Sequence, residues 1–191
     1  FFGLGDVYVE EFLPRARHIE VQIFGDASGN IVHFGDRECS VQRRNQKLVE
    51  IAPAPNLAFS LREKMTIAAV SFAQQEKYMS LGTFEFLVFD KGVEEDRLVS
   101  SATEDHFVFI EANARLQVEH TVTEEVTGFD LVRGQIAVAF GSSLADLGLD
   151  SQARSELSGF AIQARVNLET ITAEGGVRPG SGRLVRYEPP N

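Results

Sequence analysis

Apolar and polar positions alternate along residues 18–24, His-Ile-Glu-Val-Gln-Ile-Phe, with the period of two that a half-buried strand requires. Residues 30–34 repeat the pattern, and Asp26-Ala-Ser-Gly29 between the two runs carries hairpin turn chemistry. Residues 6–12 alternate as well, with Val7, Val9 and Glu11 set against Tyr8, Glu10 and Phe12, and predict an earlier strand. Residues 35–47 break the rhythm: Arg37, Arg43, Arg44 and Lys47 gather there with several amides, so the segment reads as a basic loop. Residues 51–56, with Pro53 and Pro55, read as an extended connector. Ser60 then predicts the N-cap of a helix running to about residue 80. Glu63 holds the capping-box position, and Met65, Ala68, Ala69, Phe72 and Ala73 form the apolar side.

The second half holds two strands that carry carboxylates. In residues 82–89, Glu85 stands alone among aromatic and aliphatic neighbours, a costly place unless it is paired or holds a cation. In residues 107–115, Phe109, Glu111, Asn113 and Arg115 alternate with Ile110, Ala112 and Ala114, which predicts that the first set shares one face. Gln117, Glu119 and His120 follow where that strand gives way to a loop. Residues 90–105 between the strands are rich in Asp, Glu, Ser, Lys and Gly and read as a solvent-exposed excursion. One or two helices follow His120, the second over 130–140 with Leu131, Ile136, Ala137 and Phe140 as its apolar residues. Residues 144–156 read as a polar junction, 160–167 as a strand, 175–182 as a turn-rich loop and 183–187 as the start of a strand. Strands and helices mix without a βαβα rhythm, so the fold class is α+β with mostly antiparallel pairing.

Composition narrows the function classes. A net charge of −10 without a basic stripe argues against nucleic acid as a partner. The single cysteine, Cys39, excludes an internal disulfide and suits a reducing compartment, the cytoplasm or a mitochondrial matrix. No apolar run has the length of a membrane span. The Phe-Phe-Gly start and the Pro-Pro-Asn stop read as cuts within a longer chain. If the two acidic strands are neighbours, Glu85, Glu111 and Asn113 meet as hard oxygen ligands suited to Mg²⁺ or Mn²⁺. The plainer readings are two glutamates on a solvated sheet face, a solvated Lys47, and a buried ion pair for Arg165. His120 reads as structural support and Cys39 as a small packing residue.

The stretches EEFLPRARHIEVQ, RECSVQRRNQKLVEIAPAP, GTFEF, FIEANARLQVEH, TEEVTGFDLV and QARVN together resemble the biotin carboxylase component of biotin-dependent carboxylases, within the ATP-grasp superfamily. FIE-x-N-x-R is shared with other ATP-grasp enzymes such as carbamoyl phosphate synthetase, whereas QVEH is narrower. The resemblance implies that residues 1–150 are the C-terminal part of an ATP-grasp domain and that 151–191 begin the biotin carboxylase C-terminal domain. It implies ATP contacts at Glu10, Glu11, Phe12, Leu13, His18, Gln42 and Asn45, and metal ligation by Glu85, Glu111 and Asn113. It implies bicarbonate binding by Lys47, Arg115, Gln117 and Val118, with Glu119 as the base and Arg165 beside the biotin enolate. Lys47, Arg115, Glu119 and Arg165 form the catalytic set.

The implied reaction is ATP-dependent carboxylation of biotin with bicarbonate by way of carboxyphosphate. Its cofactors are ATP, Mg²⁺ or Mn²⁺, and a biotin carried elsewhere. Its partners are a biotin carboxyl carrier domain, a carboxyltransferase domain or subunit and, as a homodimer, a second copy. The glycine-rich lid and phosphate-binding lysines of a preceding ATP-grasp lobe are not in these residues, so the resemblance implies that they are inactive alone. Two departures stand out: Asn45 replaces the histidine of QRRHQK, and the excursion at 91–105 is longer than in compact bacterial subunits. A different ATP-grasp ligase and a non-catalytic dimerisation or scaffold module are the alternative readings.

Overall fold

The computed structural model describes residues 7–90, 105–149, 157–174 and 176–188. Residues 91–104 of the predicted excursion and part of the junction at 144–156 fall outside them. Six strands form one antiparallel sheet: β1 (Arg17–Gly25), β2 (Ile31–Arg43), β3 (Gln46–Ala52), β4 (Ser80–Asp90), β5 (Asp105–Asn113) and β6 (Ala161–Ala164). Their spatial order is β5-β4-β1-β2-β3-β6. A two-stranded hairpin, β7 (Glu169–Ile171) and β8 (Val177–Pro179), lies apart from it. The helices are α1 (Phe59–Gln75), α2 (His120–Thr127) and α3 (Leu131–Ala139). The α+β class and the antiparallel pairing expected from the sequence are what the structure shows.

One face of the sheet is largely apolar, and it also carries the buried Asp36 of β2, opposite Val21 and paired with Arg62 of α1. Ile19, Val21 and Ile23 of β1 and Phe84, Phe86 and Val88 of β4 pack there against Leu61, Met65, Ala69 and Ala73 of α1. The other face is graded along the strands. At one end Phe24, Val32, Phe34 and Leu81 pack under Leu131 and Val138 of α3. In the middle Glu20, Gln22, Arg37 and Thr83 are buried beneath Thr123 of α2. At the far end the same face opens as a cavity.

Four bulges make this grading possible, because an extra residue turns the following side chains to the opposite face. Register shifts place Ile110 as the extra residue of β5 and Leu48 as that of β3. The other two lie on β2, one between the partners of Val21 and Ile23, where Gly35 takes a positive φ, and one between Glu38 and Val41, opposite β3. The Ile110 bulge corrects the predicted shared face of Phe109 and Glu111. Phe109 pairs with Phe86 and stacks on Phe72 of α1, whereas Glu111 pairs with Glu85 on the cavity side.

Other expectations fail for local reasons. Residues 7–12 form no strand: Val7, Tyr8, Val9 and Phe12 are exposed, and without a neighbour to pair with, alternation alone does not make one. The supposed basic loop is strand: β2 runs on to Arg43 and β3 starts at Gln46, joined by Arg44 and Asn45. Both turn residues have positive φ, 53° and 63°, as primed two-residue hairpins require. Ser60 does not cap α1. The helix starts two residues earlier, from Ala58, whose carbonyl accepts from Arg62 N–H, and no side chain caps it. It ends at Gln75 rather than near residue 80. On α3 the inward face is Leu131, Gly134 and Val138, while Ile136 and Phe140 are exposed. Gly134 sets that rotation by admitting the Phe129 and Phe24 rings where a Cβ would clash. β8 forms within the predicted turn-rich loop, and the described residues 183–187 form no strand.

Gly25 ends β1 where the chain after α1 crosses it. A Cβ there would lie 2.1 Å from the Tyr78 carbonyl oxygen and 2.7 Å from Ile31 Cδ1. Gly25→Ala therefore forces a backbone shift and costs about 1–3 kcal/mol. Urea unfolding checks this: the midpoint falls with an unchanged m-value.

Candidate active site

The cavity at the open end of the graded face has a volume of about 730 Å³, within the range of small-molecule sites. β1 contributes His18, β2 Gln42, β3 Lys47 and β4 Glu85. β5 contributes Glu111 and Asn113, and the turn after it brings Arg115, Gln117, Val118 and Glu119. Asn45 reaches it from the hairpin tip and Arg165 from just beyond β6. The structure thus gathers every sequence-predicted site residue from His18 onward in one place. Glu10, Glu11, Phe12 and Leu13, on the extended segment before β1, do not line it.

Lys47 is the centre of the floor. Its ammonium contacts Glu20, lies 2.8 Å from Glu119 Oε1 and 3.3 Å from Glu85 Oε1. His18, Glu20 and Glu85 have the proximity of a metal cluster, but the Lys47 ammonium already supplies the cation among those carboxylates. Gln42 Nε2 sits 2.8 Å from His18 Nδ1, so the amide donates to that nitrogen and the proton resides on Nε2, 2.6 Å from Glu85 Oε2. Burial by itself would raise the Glu85 carboxyl. Hydrogen bonds from His18 and Gln117 together with the Lys47 charge outweigh it and hold the carboxyl at about 2. Glu119 is governed by the same contest: burial raises it, and the hydrogen bond and charge of Lys47 bring it below its ordinary value.

Glu85 and Glu111 are directly opposite across β4 and β5, where like charges repel. Asn113 relieves this by donating from Nδ2 to both carboxylates at 2.8 Å. A hard divalent cation fits the same position, because the two carboxylates and the amide oxygen of a turned Asn113 form an all-oxygen ligand set. Arg115 is exposed and, among the described residues, makes only long contacts, 3.4 Å to the Leu116 carbonyl and 3.5 Å to Asn113 Oδ1. Its planar fork is available to a carboxylate-like anion. The buried ion pair foreseen as an alternative for Arg165 exists: Nε lies 2.7 Å from Glu50 and Nη2 2.9 Å from Glu119. Yet Arg165 also faces the cavity, so the two readings are compatible. His120 lies 2.8 Å from Glu124 within α2 and does not line the cavity, in keeping with a supporting role. Cys39 is fully buried, and desolvation pushes its thiol far up, which suits a packing residue.

Sequence reasoning missed the layer beneath. Glu20, Arg37 and Glu50 have no exposure at all. Arg37 Nη2 meets Glu20 at 3.1 Å and Thr83 at 3.3 Å, and Nη1 meets Gln22 at 2.8 Å and Thr123 at 3.0 Å. The signal was present: Glu20 between Ile19 and Val21, and Glu50 between Val49 and Ile51, are as isolated in apolar sequence as Glu85.

An antiparallel sheet whose open end joins paired carboxylates, a bridging amide and a half-buried lysine fits the ATP-grasp likeness expected from the sequence. Comparisons with known proteins agree. The family model described as carbamoyl-phosphate synthase L chain, ATP binding domain, matches residues 1–147. Pyruvate carboxylase 1 of Caenorhabditis elegans is 52% identical over 183 residues, 96% of this chain and 14% of that protein. The complete multifunctional pyruvate carboxylase of Rhizobium etli superposes with a TM-score of 0.74 at 43% identity, over 85% of this chain and 15% of that one. The biotin carboxylase domain of Hydrogenobacter thermophilus 2-oxoglutarate carboxylase gives 0.70 at 40% identity, over 84% and 32%. The chain belongs to the carbamoyl-phosphate synthase L chain ATP-binding family, as a fragment of its biotin carboxylase branch. It spans 14% of the length of the curated pyruvate carboxylase relative quoted above.

The depressed Glu85 carboxyl makes stability depend on pH. A carboxyl held lower in the folded state contributes stability that is present above its unfolded value and lost as pH falls toward the folded one. Here that window runs from the ordinary value of 4.5 down to about 2, and the full effect is roughly 3 kcal/mol. With chelator present, Glu85→Gln removes this part of the acid sensitivity. The check is the urea midpoint between pH 6 and pH 3, which falls less steeply in the variant than in the wild type.

Proposed function

We propose that this chain forms the bicarbonate and metal half of a biotin carboxylase site, within a longer biotin-dependent carboxylase. The observation that carries the reading is the meeting of Lys47, Glu85, Glu119 and Arg165 in one cavity, with Glu111, Asn113 and Arg115 along its wall. Residues 1–150 belong to the ATP-grasp domain and 151–191 open the next one. The family match over 1–147 supports that boundary, although β6 beyond it extends the same sheet. ATP enters over His18, Gln42 and Asn45, with Glu10, Glu11, Phe12 and Leu13 on the segment leading into β1. A solved relative, the H. thermophilus domain, is described as a dimer in complex with MgADP, ADP and bicarbonate, which supports these ligands and a homodimer.

The chemistry follows from the residues. Bicarbonate is a poor nucleophile until it loses its proton, and Glu119, held ionised by Lys47, is placed to take it. Lys47, Arg115, Gln117 and the backbone of Val118 hold the anion and offset the charge that grows on it. Glu85, Glu111 and Asn113 would hold Mg²⁺ or Mn²⁺, which neutralises phosphate charge when bound. The product, carboxyphosphate, releases CO₂ and phosphate, and the phosphate takes the proton from the ureido nitrogen of biotin. Arg165 then steadies the resulting anion as that nitrogen takes CO₂, an electrostatic role of the oxyanion-hole kind. Biotin arrives on a carrier domain and leaves for a carboxyltransferase domain or subunit. No described helix is long and apolar enough to cross a membrane, and the cytoplasm or mitochondrial matrix is the compartment proposed.

Bicarbonate-dependent ATP hydrolysis by the parent protein, with and without free biotin, tests the reading. Biotin stimulates turnover, and Glu119→Gln lowers it by roughly a hundredfold or more. Hydrolysis indifferent to biotin would transfer the chain to another ATP-grasp ligase, and a folded protein without nucleotide binding would make it a scaffold. Asn45 offers a second test. At φ 63° asparagine is favoured over the histidine of relatives, but it brings no cation to the phosphates. Asn45→His therefore lowers the KM for MgATP severalfold and slightly destabilises the hairpin; steady-state kinetics and thermal unfolding measure the two effects.

A further inference from the structure

Glu50 has no place in the reaction described so far. It lies on β3, and the bulge at Leu48 returns it to the face that carries Lys47. Its side chain is wholly buried, and Oε1 accepts from Arg165 Nε at 2.7 Å. Its other oxygen, Oε2, is buried and accepts no hydrogen bond among the described residues. A buried, half-satisfied carboxylate costs stability, and such a group persists where something other than stability retains it.

The partner explains the retention. Arg165 has five N–H donors in a fixed fork. Glu50 takes the one on Nε and Glu119 takes one on Nη2 at 2.9 Å, while the guanidinium borders the cavity. With Glu50 absent, the nearest anion to Arg165 is Glu119, and a fork–carboxylate pair closes readily to a bidentate one. That closure would engage the oxygen of the base and draw the guanidinium away from the cavity.

We propose that Glu50 is a positioning residue: by gripping Arg165 at Nε it keeps the rest of the guanidinium turned to the cavity and prevents Glu119 from capturing it. This rests on the biotin carboxylase reading above. Three carboxylates and two cations then alternate across the floor as Glu50, Arg165, Glu119, Lys47 and Glu85, each cation shared by more than one acid. Burial raises the Glu50 carboxyl above its ordinary value, and the Arg165 charge and hydrogen bond offset part of that rise.

The test uses the complete parent protein as wild type, Glu50→Gln, Glu50→Asp, Arg165→Gln and the Glu50→Gln/Arg165→Gln double variant. Glu50→Gln lowers kcat/KM for free biotin about tenfold, with the KM for MgATP within about twofold of wild type, and Glu50→Asp regains part of the loss. On the Arg165→Gln background Glu50→Gln has no further kinetic effect, because the two side chains act as a unit. It also raises the Tm of that background, since it removes a buried carboxylate left without its partner. Unchanged biotin kinetics in Glu50→Gln would overturn the proposal, as would kinetic losses that multiply in the double variant. A parallel fall in Tm, MgATP affinity and biotin kinetics would reduce Glu50 to general support and likewise sink it. Absence of biotin-stimulated turnover in the wild type would instead overturn the functional reading; the Tm cycle needs no turnover, and additive Tm losses refute the Glu50–Arg165 pairing on their own.

Discussion

Everything at the open end of the sheet depends on one ammonium held among three carboxylates. Glu20, Glu85 and Glu119 come from β1, β4 and the turn before α2, and Lys47 touches all three. Burying each of these charges alone would cost several kcal/mol. Shared pairing offsets that cost here, with Arg37 on the far side of Glu20 and Arg165 on the far side of Glu119. The assembly is a poor way to gain stability and a good way to fix geometry. No member can leave without stranding a neighbour in a dry environment. Three strands and a helix start are thereby locked in register at the place where chemistry needs them.

The backbone makes this possible by departing from regular alternation. A sheet with a strict period of two would put Lys47 and Glu50 on opposite faces, and would send Glu111 to the side of Phe109. One extra residue at Leu48 and one at Ile110 cancel those mismatches. The apolar face under α1 stays continuous through Phe109, while the polar face receives Lys47, Glu50 and Glu111 together. The polar layer of Arg37, Gln22, Thr83 and Thr123 then closes the transition between the α3 core and the cavity, with each of its polar partners donor-matched to the guanidinium.

These particulars decide what the sequence could reveal. Regular alternation at 18–24 and 82–89 located β1 and β4, and the lone Glu85 among aromatics located the site, because a buried carboxylate is costly whatever the fold. The same argument applied to Glu20 and Glu50 would have found the buried layer; they were passed over because nothing nearby resembled a metal-ligand pattern. Arg37 was grouped with a basic loop because Arg43, Arg44 and Lys47 share its stretch, and only pairing shows that it points into the sheet while Arg43 reaches out to Glu169. The bulges were illegible. Ile110 and Leu48 look like any strand residue, and their status as extra residues exists only relative to β4 and β2. Residues 7–12 failed in the opposite sense, since alternation was present but no strand lay beside it.

The same cluster that fixes the site also sets a condition on how it works. Lys47 satisfies Glu119 and Glu85 at once, so a carboxylate-like anion that engaged the ammonium would compete with Glu119 for it. A cation held by Glu85, Glu111 and Asn113 would take over the neutralisation of Glu85 and free part of the ammonium for that anion. Glu119 would then feel less of the Lys47 charge, one of the causes that hold its carboxyl below the ordinary value. On the proposed reading, metal and anion binding on this floor would be coupled through a shared lysine. Such coupling requires no movement of the sheet, only the exchange of partners around one ammonium.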